Sequence, residues 1–150
     1  MHVRDLMQRD VVTLGVQDRL DLADDIMRLG RIRHLPIVEG TRVVGILSQR
    51  DLFRAAVSSL LQLRFEAERK WLATVPVQAV MTPDVVTVLP GTPLRAAARL
   101  MAEKRIGCLP VVEDGTLVGL LSESDCLMHL ARLLDVADER EHLPELGAAQ

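Results

Sequence analysis

Two short segments carry the residue types best suited to chemistry: Ser48-Gln49-Arg50-Asp51 and, 74 residues later, Ser122-Glu123-Ser124-Asp125. Each offers a hydroxyl and, three positions on, a carboxylate at what reads as a helix start. A carboxylate can accept two hydrogen bonds from neighbouring hydroxyls, and a helix N-terminus favours an anion through its unpaired N–H groups and its dipole. The same spacing fits a capping box, the cap alone being worth about 0.5 to 2 kcal/mol. Capping explains the position of Ser and Asp. It does not explain Gly45 and Gly119, which read either as part of a site or as packing glycines.

The two segments end a longer repetition. Laying Val3–Asp51 on Val77–Asp125 without a gap makes 20 of 49 positions identical. Met7, Asp10, Val11, Val12 and Thr13 recur as Met81, Asp84, Val85, Val86 and Thr87; Arg31, Ile32, Leu35, Pro36, Val38 and Glu39 recur as Arg105, Ile106, Leu109, Pro110, Val112 and Glu113. Such self-similarity precedes any other reading of a fold. Two copies of about 50 residues are each too small to bury much surface alone, so they are expected to complete each other's core.

The elements that must position the two segments follow from pattern. In each copy the order is strand, helix, hairpin, helix. Val11–Leu14 and Val85–Val88 read as strands. Helix starts are expected at Asp18 and at Thr92-Pro93, and Leu20, Ala23, Ile26, Met27 and Leu94, Ala97, Leu100, Met101 give each helix one apolar face. Leu35–Val38 with Val43–Leu47, and Leu109–Val112 with Leu117–Leu121, read as hairpins, the second around an Asp-Gly turn. Pro36 and Pro110 suggest an edge or a strand start. Between the copies, Ala55–Trp71 has the composition of one long helix, matched after Asp125 by a shorter one, Cys126–Leu134. From Asp135 a loosely ordered helix or a disordered tail is expected.

Composition narrows the function. The chain has 150 residues, 49% apolar, with a net charge of −3 and 2% aromatics, Phe53, Phe65 and Trp71. No Lys/Arg cluster stands apart from acidic neighbours and no aromatic platform is available, so neither a nucleic-acid partner nor a membrane is expected. Cys108 and Cys126 lack metal-ligand spacing and read as reduced buried thiols. His2, His34, His129 and His142 have no metal spacing either. The start lacks a signal-peptide pattern, so cytoplasm is the expected compartment. No residue set supplies a nucleophile with a base and an orienting group, so an enzyme is not expected.

A duplicated Leu-Pro-Ile/Val-Val hairpin followed by Gly-hydrophobic-hydrophobic-Ser-x-x-Asp resembles the cystathionine-β-synthase (CBS) domain, and the two in-register copies resemble a tandem pair, or Bateman module, as a stand-alone protein. The resemblance implies an α/β (α+β) fold: two β-α-β-β-α repeats packed through their sheets with pseudo-twofold symmetry. The expected layout is a first CBS domain over 1–60, a helical linker over 61–76, a second CBS domain over 77–134 and a tail over 135–150.

It further implies a regulatory module that binds adenosine-containing ligands (AMP, ADP, ATP, or S-adenosylmethionine or NAD(H)) in clefts between the copies, without a covalent cofactor or metal. One cleft would use Ile46, Ser48, Arg50 and Asp51 with Val86, Ile106, Gly107 and Cys108. The other would use Leu120, Ser122, Ser124 and Asp125 with Val12, Ile32, Arg33 and His34. The carboxylates would accept the ribose hydroxyls, the helix starts would face phosphate, and apolar strand residues would sandwich adenine. Arg50 in the first cleft, and Arg33 with His34 in the second, are the cationic candidates, so the clefts should differ. A homodimer and an unidentified regulated protein are the implied partners. The alternative is a non-catalytic assembly module with vestigial clefts.

Overall fold

The computed structural model of the chain describes residues 1–60 and 65–141, with side chains for 1–57 and 69–139. Alternating apolar residues build its two hairpins. His34–Glu39 (β2) and Arg42–Ser48 (β3) pair antiparallel, burying Leu35, Ile37 and Leu47 completely; Cys108–Glu113 (β4) and Thr116–Ser122 (β5) do the same with Leu109, Val111 and Leu121. The tight turns hold Gly40 at φ 63°, and Asp114 and Gly115 at 49° and 77°, backbone that suits Gly and Asp.

The leading strand of each copy is shorter than expected. Leu14–Gly15 (β1) pairs parallel with Ile37 and Val38, and in the second copy the pairing is a single bridge, Val88 to Val111. The reason is local: the amides of Val11 and Val85 bond back to the carbonyls of Arg9 and Pro83, so the chain is still turning there. The sheet order β1-β2-β3 puts Pro36 in a central strand rather than at an edge. Pairing with β1 begins only at Ile37, which lets β2 carry a residue that lacks an N–H.

The helices Leu20–Gly30 (α1) and Leu94–Lys104 (α4) bury Leu20, Ala23, Met27 and Ala97, Met101. Their N-caps are Arg19 and Pro93, with no side-chain cap; the Asp18 carboxylate instead accepts the Gly15 amide at 2.7 Å. Both helices stop at an arginine in left-handed backbone, Arg31 at φ 53° and Arg105 at φ 55°, whose amides bond back to Met27 and to Met101 and Ala102. These equivalent arginines are helix C-caps.

Of the helix expected over 55–71, the described residues carry Gln49–Leu60 (α2) and Phe65–Leu72 (α3), and 61–64 lie outside them. Leu72 joins the buried cluster of the first copy with Trp71 packed against it, and Arg69 pairs with Asp25 of α1 at 2.9 Å. That packing draws the segment onto the first copy. The last helix, Glu123–Glu141 (α5), continues past Leu134 into the segment expected to be a loosely ordered helix or a disordered tail, of which 142–150 lie outside the described residues.

The two halves exchange their leading segments. Val77, Val80 and Met81 pack into the core of Leu20, Leu35, Ile37 and Leu47, while Val3, Leu6 and Met7 pack into that of Met101, Leu109, Val111 and Leu121. Reciprocal backbone pairs fix the exchange. Ile46 and Thr82 exchange both bonds at 2.8 and 3.0 Å, and their equivalents Leu120 and Gln8 do so at 2.9 Å each. The hairpins also meet where the Leu117 amide donates to the Thr41 carbonyl at 3.0 Å.

Candidate functional site

Where the copies face each other, a cavity of about 880 Å³ opens, within the usual size of a small-molecule site. All eight residues expected in the first cleft lie on its wall: Ile46, Ser48, Arg50, Asp51, Val86, Ile106, Gly107 and Cys108. β3 delivers Ile46 and Ser48, the first turn of α2 delivers Arg50 and Asp51, and the turn out of α4 delivers Ile106 and Gly107. The two copies contribute opposite sides.

Ser48 and Asp51 form the capping box. The Ser48 amide donates to Asp51 Oδ2 at 2.9 Å, and the Asp51 amide donates to Ser48 Oγ at 3.0 Å. The Gln49 amide is taken by the Arg33 carbonyl at 2.8 Å. Asp51 Oδ1 and the Arg50 amide carry no hydrogen bond among the described residues. Capping therefore leaves one carboxylate oxygen and one helical amide without a partner, among the described residues, on two residues that line the cavity. Arg33, Arg50 and Arg105, all exposed, line it together with Asp84 and Glu123.

The second set of residues is arranged differently. Ser122 and Asp125 form the same box: Asp125 Oδ2 accepts the Ser122 amide at 2.8 Å and its hydroxyl at 2.7 Å, and the Asp125 amide donates to Ser122 Oγ at 3.3 Å. Here the other carboxylate oxygen is engaged as well, because Gln8 Nε2 donates to Asp125 Oδ1 at 3.0 Å. Arg33 Nη2 donates to Ser124 Oγ at 2.6 Å. Leu120 pairs through its backbone with Gln8, Ile32 packs against the first core, and Val12 is 44% exposed.

Arg33 and His34, expected in the second cleft, line the first cavity. They occupy the positions equivalent to Gly107 and Cys108, and the copies approach so closely there that a Cβ on Gly107 would lie 2.8 Å from His34 Nε2. Residues on this central line belong to both sides. Burial, and then the Arg33 charge, hold His34 below the usual imidazole pKa against the pull of Glu123 and Asp51, so it is neutral at pH 7 and brings no charge for a phosphate. Burial, and then Glu123, push the Cys108 thiol up to about 12. It is an apolar wall.

Sequence reasoning missed Phe53, Thr82, Asp84 and Arg105 as wall residues. Asp84 and Arg105 were visible as repeated residues, but nothing local says which way they face. Phe53, 68% exposed beside the cavity, was legible only as one of three aromatics. Among the described residues no group of His, Cys, Asp and Glu is placed to hold a metal ion, and no helix is long and apolar enough to cross a membrane.

Comparison with known proteins agrees with this fold. The chain is 34% identical over 142 residues to inosine-5'-monophosphate dehydrogenase of Korarchaeum cryptofilum, covering 94% of this chain but only 26% of that protein. The fold matches a Vibrio cholerae protein assigned to acetoin utilization (AcuB), with a TM-score of 0.77 and 36% identity, over 93% of this chain and 96% of that one. It also matches CBSX2, solved in complex with AMP, with a TM-score of 0.72 and 27% identity over 89% and 98% of the two chains. The sequence pattern of the CBS domain fits twice, over residues 3–58 and 77–132, and the chain belongs to the CBS domain family as a tandem pair.

Proposed function

We propose that this chain is a regulatory module that binds an adenosine-containing ligand in the cavity between its two copies and passes the resulting change in their packing to a partner protein. The observation that carries this reading is Asp51. Its Oδ2 is held in the cap, so the carboxylate is fixed in place, and its Oδ1 is left to accept ribose hydroxyls. Ile46, Val86 and Ile106 offer apolar surface for adenine, and Arg50 with its own amide offers phosphate a charge and a donor. The AMP held by CBSX2, which shares the fold over most of its length, supports the ligand class. Ligand acts by its differential affinity for two packings.

The module reads as regulatory rather than catalytic, with a homodimer as its working form. Leu127, Met128, Leu130, Leu133 and Leu134 leave α5 half or more exposed, a face suited to a second copy. A thermal-shift screen against AMP, ADP, ATP, S-adenosylmethionine and NADH tests the reading. A ligand at 100 times its Kd adds about 2.7 kcal/mol, which raises Tm by several degrees at this chain length. The shift should vanish in Asp51→Ala. No shift with any of the five would leave an assembly module whose clefts bind nothing.

A further inference from the structure

We infer that the chain latches the second of its two clefts from within, Gln8 and Arg33 being the latches, and so presents one strong ligand site instead of two. The inference rests on the proposed function and concerns how many of the clefts act. The two Ser-x-x-Asp boxes share the reciprocal amide bonds and differ in the Ser122 hydroxyl, which also donates to Asp125 Oδ2; the difference at the other carboxylate oxygen lies in what reaches it from the opposite copy. Asp125 has both oxygens engaged, Oδ2 by Ser122 and Oδ1 by Gln8 Nε2 at 3.0 Å; among the described residues Asp51 has only Oδ2 engaged.

The cause is two differences between equivalent positions. Gln8 and Thr82 occupy the same place in the repeat and make the same reciprocal backbone pair, with Leu120 and Ile46 respectively. Glutamine is long enough to reach the carboxylate of the facing box. Threonine is not, and Thr82 forms open cavity wall. At the next pair, Arg33 reaches across to Ser124 Oγ at 2.6 Å, while its equivalent is Gly107, which has no side chain to send toward Arg50. A ligand entering the second cleft must displace both contacts before its ribose meets a free carboxylate oxygen. Displacing a hydrogen bond to a charged group weakens binding by roughly tenfold.

Calorimetric titration of the full chain with AMP tests this. Wild type should fit one strong site per chain, lost in Asp51→Ala, with any second site at least about tenfold weaker. Gln8→Thr, which copies the residue the other half already uses and lies outside the wall of the first cavity, should tighten the second site by roughly tenfold, the gain being lost on adding Asp125→Ala. The reverse change, Thr82→Gln, should weaken the first site. Two equal sites in wild type, or a second site no tighter in Gln8→Thr, would overturn the latch. A cycle of Gln8→Ala and Asp125→Asn in ligand-free protein, read by chemical denaturation, checks the contact without any ligand: measurable coupling is expected and strict additivity would refute it. AMP binding to no variant, with that coupling present, would instead fell the proposed ligand site.

Discussion

The thioether of Met81 lies where a β-carbon on Gly45 would stand, and the equivalent pair repeats the arrangement, with Met7 Sδ 2.5 Å from the Cβ position of Gly119. Glycine here is required by close approach between copies, which settles the two readings of Gly45 and Gly119 in favour of packing. Alanine at either site should cost about 1 to 3 kcal/mol by overpacking. Gly119→Ala should cost more, because its Cβ would also meet the Gln8 backbone carbonyl at 3.0 Å, and backbone yields less readily than a methionine. Urea denaturation of both variants checks the order, and Met81→Ala should relieve Gly45→Ala but not Gly119→Ala.

The two serines predict a contrast between stability and binding. Ser48→Ala and Ser122→Ala each remove a hydrogen bond to a helical amide, and each should lower stability by about 0.5 to 2 kcal/mol. Only Ser48→Ala should also weaken AMP binding, since it loosens the Asp51 backbone at the cavity wall by removing the acceptor of its amide. Denaturation midpoints together with titration of both variants separate the effects. Equal loss of binding in both would contradict a single dominant site.

The hairpins and the two capping boxes were legible because their signals are local: alternation, an Asp-Gly turn, and Ser-x-x-Asp at a helix start; the residues expected to face Ser48 and Asp51 across the cavity came from the family resemblance. The exchange of leading segments was not legible, because Val3 and Val77 are identical and nothing in either segment says which core it enters. The docking of the central segment was silent for a related reason. Helical composition over 55–71 does not reveal that Leu72 and Arg69 are drawn back onto the first copy. Gln8 was likewise silent, because its importance lies in a contact 117 residues away, whereas Arg33 was expected in the cleft of Ser124, which it reaches across 91 residues.

Cys108 predicts a chemical silence. With its pKa pushed up to about 12 by burial, the thiolate fraction at pH 8 is on the order of one in ten thousand, against about a quarter for an ordinary thiol. Cys126 is also raised, chiefly by burial, but it is less enclosed. A chromogenic disulfide reagent should therefore modify Cys126 first in native protein and Cys108 only on unfolding. Fast modification of Cys108 in Cys126→Ala would show that the cavity wall opens readily.

His34 predicts how stability depends on pH. Burial, and then Arg33, lower its pKa in the folded chain, with Glu123 and Asp51 opposing; the unfolded chain titrates near the ordinary value of about 6.5. As pH falls through that value, the unfolded state takes up a proton that the folded state does not, so stability drops with falling pH and levels off only below the folded pKa. His34→Gln should flatten this segment of the curve between about pH 7 and the folded pKa while leaving the slope at higher pH unchanged. Denaturation of both proteins across that range is the measurement. A wild-type chain that gained stability on acidification relative to the variant would mean that Glu123 and Asp51 outweigh burial, and that His34 is a cation at the cavity wall after all.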